Sequence, residues 1–212
     1  MLTVVKVGGG LGRGAGDDAL RALCATLGEL GERHPLLVVP GGAWFADAVR
    51  DADRRFELRA TTSHRMAVLG MEQFGLLLSD LIPGAVASAQ ARAEAGRTTV
   101  LLPGALDLDK LPASWQVTSD SIAAWVAGQA GADRLVLVKE VDGLFAQWPA
   151  HGDPIARMTV AELAQMRPAG VDEHLPTVLE KASFETWVIS GRDPQRLVEL
   201  LERGATVGTR IA

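Results

Sequence analysis

The sequence predicts an α/β fold built on one open, mainly parallel sheet with helices on both faces. Three observations predict it. Short, almost wholly apolar runs alternate with longer segments of helical period, the pattern of strands buried on both sides. The first two runs each stop at a glycine cluster, Gly8-Gly9-Gly10 and Gly41-Gly42, which places two loops at one sheet edge where such folds bind ligands. A chain of 212 residues with 48% hydrophobic content can also bury a sizeable core.

The elements follow in order. Residues 2–7 read as a buried strand. Residues 17–31 read as a helix, with acids in its first turn, glycine at its end and an apolar stripe of Leu20, Leu23, Cys24, Leu27 and Leu30. A second strand at 34–39 closes on Pro40-Gly41-Gly42, and a helix follows over 43–50. The stretch 61–81 carries Met66, Leu69, Phe74, Leu77 and Leu81 and reads as a long helix. Strands near 85–87 and 98–102 are expected to flank a short helix ending at Gly96. Thr118-Ser119-Asp120 opens a helix over 121–130, and 134–138 is a very apolar strand. Residues 141–155, with Asp142-Gly143, Pro149 and Gly152, suggest a hairpin or excursion. Helices at 160–166 and 175–184, a strand at 186–190, a helix at 194–203 and a strand at 205–211 complete the chain. A single domain is expected over 1–212, with lobes of about 1–112 and 113–212.

Composition narrows the function. The net charge of −5 argues against nucleic acid as the main partner, because phosphate backbones require a basic footprint. No apolar run is long enough to span a membrane, and the N-terminus enters a strand without a signal-peptide pattern. The one cysteine excludes an internal disulfide. A soluble cytoplasmic protein is the expectation. His34, His151 and His174 lack metal-ligand spacing among themselves, so no protein-built metal site is expected.

Lys6 is the most informative residue. The chain has only four lysines against 17 arginines, yet one stands in Val5-Lys6-Val7-Gly8-Gly9-Gly10. Lysine offers a compact, mobile charge suited to phosphate, and the glycines leave backbone N–H groups free for an anion. A Walker loop is absent, since no lysine follows a glycine. The near-dinucleotide pattern Gly14-x-Gly16-x-x-Ala19 lies too far past the strand and lacks its acid. The helix after Gly41-Gly42 would turn its N-terminal amides toward the same anion. Thr118, Ser119 and Asp120 are good capping residues, while Asp120 could also hold lysine ammoniums in place. His64 and Arg65 are candidate substrate contacts, although a solvated helix face would explain them as well.

These pieces resemble the amino acid kinase superfamily in its own order. Lys6-Val7-Gly8-Gly9-Gly10 is similar to the first-strand Lys-x-Gly-Gly, and Pro40-Gly41-Gly42 to the second glycine loop. The stretch from Thr118 to Ala124 resembles Asp-x-x-Ala-Ala. Val141-Asp142-Gly143-Leu144-Phe145 resembles Val-Asp-Gly-Val-Tyr, with Phe in place of Tyr. Lys181-Ala182 resembles the late lysine and Gly208-Thr209-Arg210-Ile211 the closing Gly-Thr-x-Ile.

The resemblance implies a three-layer α/β/α sandwich, ATP-dependent phosphoryl transfer and magnesium held mainly by the ATP phosphates. It implies that Lys6 and Lys181 stabilise the transferring phosphoryl group and that Asp120 orients both. Gly8, Gly9 and Gly10 would bind phosphate. Lys139, Val141, Asp142, Gly143 and Phe145 would border the nucleotide. Gly41, Gly42, His64, Arg65, Thr118 and Ser119 would face the acceptor. The compact length and the stretch 118–125 are most similar to the group whose acceptor is an aminomethylfuran methyl phosphate in methanofuran-type cofactor biosynthesis. UMP, isopentenyl phosphate or a carboxylate such as aspartate or glutamate are alternative acceptors, and a non-catalytic nucleotide-binding member is the other class. A homodimer or higher homo-oligomer is expected, because the long helix carries more apolar residues than one buried face needs.

Overall fold

The computed structural model describes residues 1–12, 17–149 and 152–212. The Gly14-x-Gly16 pattern and His151 lie outside them. The described elements are β1 (Thr3–Val7), α1 (Asp17–Gly31), β2 (Leu36–Pro40), α2 (Ala43–Phe56), α3 (Ala60–Leu81), β3 (Val86–Ser88), β4 (Thr98–Leu101), α4 (Ser119–Ala130), β5 (Arg134–Lys139), β6 (Arg157–Met158), α5 (Val160–Met166), α6 (Leu175–Leu179), β7 (Glu185–Ser190), α7 (Gln195–Arg203) and β8 (Thr209–Ile211). Short 3-10 turns occupy Gly9–Gly12 and Pro103–Ala105.

The strands form one eight-stranded sheet in the order β3-β4-β2-β1-β5-β7-β8-β6. Every described neighbour pair is parallel except β7 with β8. The expected mainly parallel sandwich is therefore what forms. β1 sits centrally, in register with β2 on one side and β5 on the other.

Alternation along the strands divides the core in two. Val5, Val7, Val38, Val136, Val138 and Ile189 pack against α1 and α7, where Leu23, Cys24, Leu27, Leu197 and Leu200 are buried. Val4, Leu37, Leu135 and Leu137 pack against α4 and α6 through Ile122, Ala123, Val126, Leu175 and Leu179. Lys6 shares its face with Val4, so it points toward α4. Burial pushes the Cys24 thiol up to about 12, with Arg21 opposing weakly, which leaves it an inert core residue. Among the described residues no helix is long and apolar enough to cross a membrane.

Two expectations are corrected and one is narrowed. Residues 89–97 form no helix, because side chains capture the backbone there: the Ser88 hydroxyl accepts from Gln90 N (3.0 Å) and the Thr99 hydroxyl from Glu94 N (2.9 Å). The described part of 141–155 contains no strand pair. It is an irregular excursion that Ile155 N closes by donating to Leu144 O at 2.8 Å, and the two-residue β6 beyond it was not foreseen. Helix α6 ends at Leu179 rather than near 184, where Ala182 N bonds Leu179 O (2.9 Å) and tightens the last turn. Lys181 therefore stands on a turn, not within a helix.

Candidate active site

The centre of the site is a buried three-residue ion cluster. Lys6 Nζ lies 2.8 Å from Asp120 Oδ1, while Lys139 Nζ lies 2.7 Å from Oδ1 and 2.6 Å from Oδ2. Sheet register explains the meeting. Lys6 faces Leu137 across the parallel β1–β5 pair, so the next β5 residue on the same face is Lys139, at the strand end. Helix α4 packs over that face and brings Asp120 from its first turn.

Side chains of Lys6, Lys139 and Asp120 are 5%, 14% and 4% exposed, so the cluster is largely removed from water. Burial alone would raise the Asp120 carboxyl. The charges and hydrogen bonds of Lys139 and Lys6 outweigh it and hold that carboxyl well below the usual carboxylate range. Burial lowers Lys139 to about 8; Asp120 works against that fall and Lys6 adds to it. One carboxylate shared by two ammoniums leaves a formal surplus of one positive charge. A buried surplus of that sign suits an anionic ligand.

The glycine loops border this charge, and their packing explains their composition. A Cβ on Gly9 would stand 2.3 Å from Ala43 N, and one on Gly41 would stand 2.8 Å from Gly9 N. The two loops thus touch backbone to backbone, a contact that only glycine permits. One expectation changes here. Gly8 N donates to Val138 O and Gly41 N to Val7 O, both at 2.9 Å. Those two amides extend the sheet and are not free for an anion. Gly9, Gly10 and Gly42 instead line a cavity of about 860 Å³.

The cavity's other walls come from α2, α3, the 113–119 segment and the loop before α6. Thr118, Ser119 and His64 line it. His64 Nε2 is buried without a hydrogen-bond partner, and burial lowers the imidazole's pKa, so a neutral ring faces the space. Arg65 does not line it; one residue further round α3, it is exposed.

Several contributors were missed or only partly read in the sequence. Trp115 forms a fixed wall: its Nε1 donates to Asp53 Oδ2 at 2.6 Å and the Arg50 guanidinium lies 4.9 Å over its ring. Glu173 adds a carboxylate to the lining. Asp172 accepts from the backbone N and hydroxyl of Thr118 (2.8 and 2.9 Å) and of Ser121 (2.9 and 2.5 Å). Trp115 carried a weak signal as a lone aromatic beside a helix cap. Asp172 and Glu173 were legible only as an acidic pair ahead of Lys181 that could shift which residue faces the phosphates.

The structure does not join Lys181 to Asp120. Lys181 is exposed on the turn after α6 and forms no ion pair among the described residues, while both Asp120 oxygens are taken by Lys6 and Lys139. The ion cluster in the structure is Lys6–Asp120–Lys139, with Lys181 apart from it. Val141, Asp142, Gly143 and Phe145 follow Lys139 outside the cavity lining. Leu144 N donates to the Thr209 hydroxyl at 2.7 Å, and Asp142 pairs with Arg196 at 3.0 Å, which ties this segment to β8 and α7.

Residues 1–183 match the amino acid kinase family. The chain belongs to that family. By class it is a phosphotransferase, as the resemblance implied. It is 25% identical to the [5-(aminomethyl)furan-3-yl]methyl phosphate kinase of Methanocaldococcus jannaschii, over 98% of this chain and 96% of that protein. It is 26% identical to the uridylate kinase of Methanococcoides burtonii, over 100% and 99% of the two chains. In structure it is similar to the uridylate kinase of Archaeoglobus fulgidus, with a TM-score of 0.77, 20% identity and full coverage of both chains. That likeness shows the shared fold.

Proposed function

We propose that this kinase transfers the γ-phosphoryl group of ATP to a small phosphate monoester, an aminomethylfuran methyl phosphate, giving a diphosphate. The observation that carries the reading is the buried surplus positive charge of Lys6, Lys139 and Asp120 beside the two touching glycine loops. Phosphoryl transfer depends on positioning and charge stabilisation more than on covalent help from the protein. An anionic acceptor oxygen would attack the γ-phosphorus as the bond to the β,γ-bridging oxygen breaks and ADP leaves. No proton has to be removed, because the acceptor oxygen is already anionic.

The cavity's chemistry favours a flat, zwitterionic acceptor. Its lining offers the Trp115 face to a ring, the Glu173 and Asp53 carboxylates to an ammonium, and Gly9, Gly10 and Gly42 to a phosphate. Thr118, Ser119 and His64 are the hydrogen-bonding groups of the same wall. The segment from Lys139 to Phe145 would border the nucleotide, with the acceptor in the cavity walled by both lobes of about 1–112 and 113–212. The donor set of ammoniums and amides suits phosphate oxygens rather than a metal, so magnesium would be carried by ATP, neutralising charge on its phosphates. A cytoplasmic setting fits an ATP-dependent reaction.

The test is ADP release with magnesium and ATP against the aminomethylfuran methyl phosphate, UMP, isopentenyl phosphate, acetylglutamate and aspartate. Turnover on the furan phosphate at least tenfold above the others is expected. Preferred turnover of UMP would replace the acceptor assignment. ATP binding without turnover on any of them would favour a nucleotide-binding role.

Self-association through α3 is a further part of the reading. Leu69 and Leu76 stand two turns apart on one side of that helix and are 43% and 52% exposed. Light scattering at micromolar concentration is expected to give a dimer mass, and Leu69→Glu with Leu76→Glu a monomer. A monomer in the unsubstituted protein would remove the claim.

A further inference from the structure

We propose that Lys139, and not Lys181, is the second cation on the transferring phosphoryl group, working with Lys6 across Asp120. The inference rests on the kinase reading above and names its machinery more closely. Three observations carry it. Lys139 is the residue that shares Asp120 with Lys6, at 2.6–2.8 Å throughout. It projects from the carboxyl end of β5 on the Lys6 side, and Gly8 N bonds to the preceding carbonyl, Val138 O. The ammonium is thereby fixed beside the first phosphate loop by the sheet itself. Lys181, by contrast, stands exposed on the turn after α6, with no acidic partner among the described residues to aim it.

The energetics agree with a working role. A lysine this deeply buried is costly unless its charge is used, and here it shares half of one carboxylate. A structural purpose would be met as well by one lysine per aspartate. The second ammonium adds the surplus charge, which becomes favourable once phosphate oxygens enter.

The charged groups around Lys139 are Asp120 from α4 and Lys6 from β1. Across the strand end lies Glu140, which Arg192 from the loop after β7 holds at 3.3 Å. Asp120 supports the charged form of Lys139, while burial and Lys6 oppose it. In the free enzyme the lysine loses its proton above about pH 8. The kcat/KM profile is then expected to fall on the alkaline side, since that ratio reports ionisations of the free enzyme. Lys139→Arg keeps its charge at any such pH and should abolish the alkaline fall, even if its fork reduces the rate.

The deciding comparison uses Lys139→Met, Lys139→Arg and Lys181→Ala. Met fills the lysine's space and leaves Lys6 paired one-to-one with Asp120, so folding is preserved and is checked by thermal melting. Lys139→Met is expected to lower kcat on the order of 10²–10³-fold, and Lys181→Ala to stay within about threefold. Full loss in Lys181→Ala with activity kept in Lys139→Met would overturn the proposal.

A second measurement needs no acceptor and so separates this inference from the choice of substrate. With only four lysines, the chain labelled at lysine Cε gives four NMR signals, assigned by single Lys→Arg variants. Addition of magnesium and a non-hydrolysable ATP analogue should shift Lys6 and Lys139 and leave Lys181 in place. A moved Lys181 beside an unmoved Lys139 would sink the idea whatever the acceptor proves to be. Lysine shifts as expected, without turnover on any acceptor, would fault the acceptor reading alone.

Discussion

Asp120→Asn is expected to destabilise the fold by about 3–5 kcal/mol, the cost of breaking a buried ion pair, and to lower kcat on the order of 10²–10³-fold. The side chain's shape survives the change, so the loss is electrostatic. Two ammoniums would remain buried with no carboxylate between them. The variant's relief is deprotonation of Lys139, because Asp120 is the group that holds its pKa up. The sign of the pH effect follows. Lys139 in the folded enzyme titrates at about 8 against an ordinary 10.5. Between those values the unfolded chain binds more protons, so stability rises with pH across that window. Without Asp120 the window opens lower still. Urea titrations at pH 6 and pH 9 should therefore show a stability deficit that is larger at pH 6. Equal deficits at both pH values would mean that lysine repulsion is not the cause.

The sequence made one half of this cluster legible and hid the other. Lys6 stood out as a rare lysine in an apolar strand one residue before glycines, and local pattern sufficed to name it. Asp120 stood out because Thr118-Ser119-Asp120 opens a helix. The partner of Asp120 is a different kind of fact. Lys139 reaches it only because β5 pairs with β1 in a register that sets Leu137 opposite Lys6. Motif order runs along the chain, whereas register acts across the sheet, and no periodicity encodes it. The late lysine drew attention as a motif, yet α6 ends two residues before it and turns it to solvent. The same reasoning explains the glycines. Their presence at strand ends was readable, but not which amides the sheet would consume, because that depends on how far each ladder extends. Alternation of apolar runs was enough for the sheet and its two helical layers; the irregular 89–97 segment was not, since hydroxyls of Ser88 and Thr99 compete for its backbone.

Asp172→Ala is expected to lower the unfolding free energy by about 3–4 kcal/mol, although Asp172 touches no group of the ion cluster. Its carboxylate accepts from Thr118 and Ser121 at the start of α4, and also from His174 N (3.2 Å) and Leu175 N (2.9 Å) at the start of α6. One side chain therefore caps two helices and ties the 167–174 loop to the wall of the cavity. A helix N-terminus favours a negative charge, and the Thr118 hydroxyl alone is a weak cap, 3.5 Å from Asp120 N. Removal would leave the fully buried Ser121 hydroxyl without its acceptor. The six bonds share one carboxylate and do not add, which is why the expected loss is far below their sum. Asp172→Asn keeps one acceptor oxygen but turns an NH₂ group toward amide donors, so about 2 kcal/mol is expected there. In urea the midpoint should fall with its slope unchanged, since the surface exposed on unfolding is the same. Because Thr118 and Ser119 line the cavity one step before Asp120, acceptor KM should rise as well, by roughly tenfold for a lost contact of about 1.4 kcal/mol. A stability change below about 1 kcal/mol would show that α4 holds its start without this cap. The cation cluster would then depend on the sheet alone for the position of Asp120.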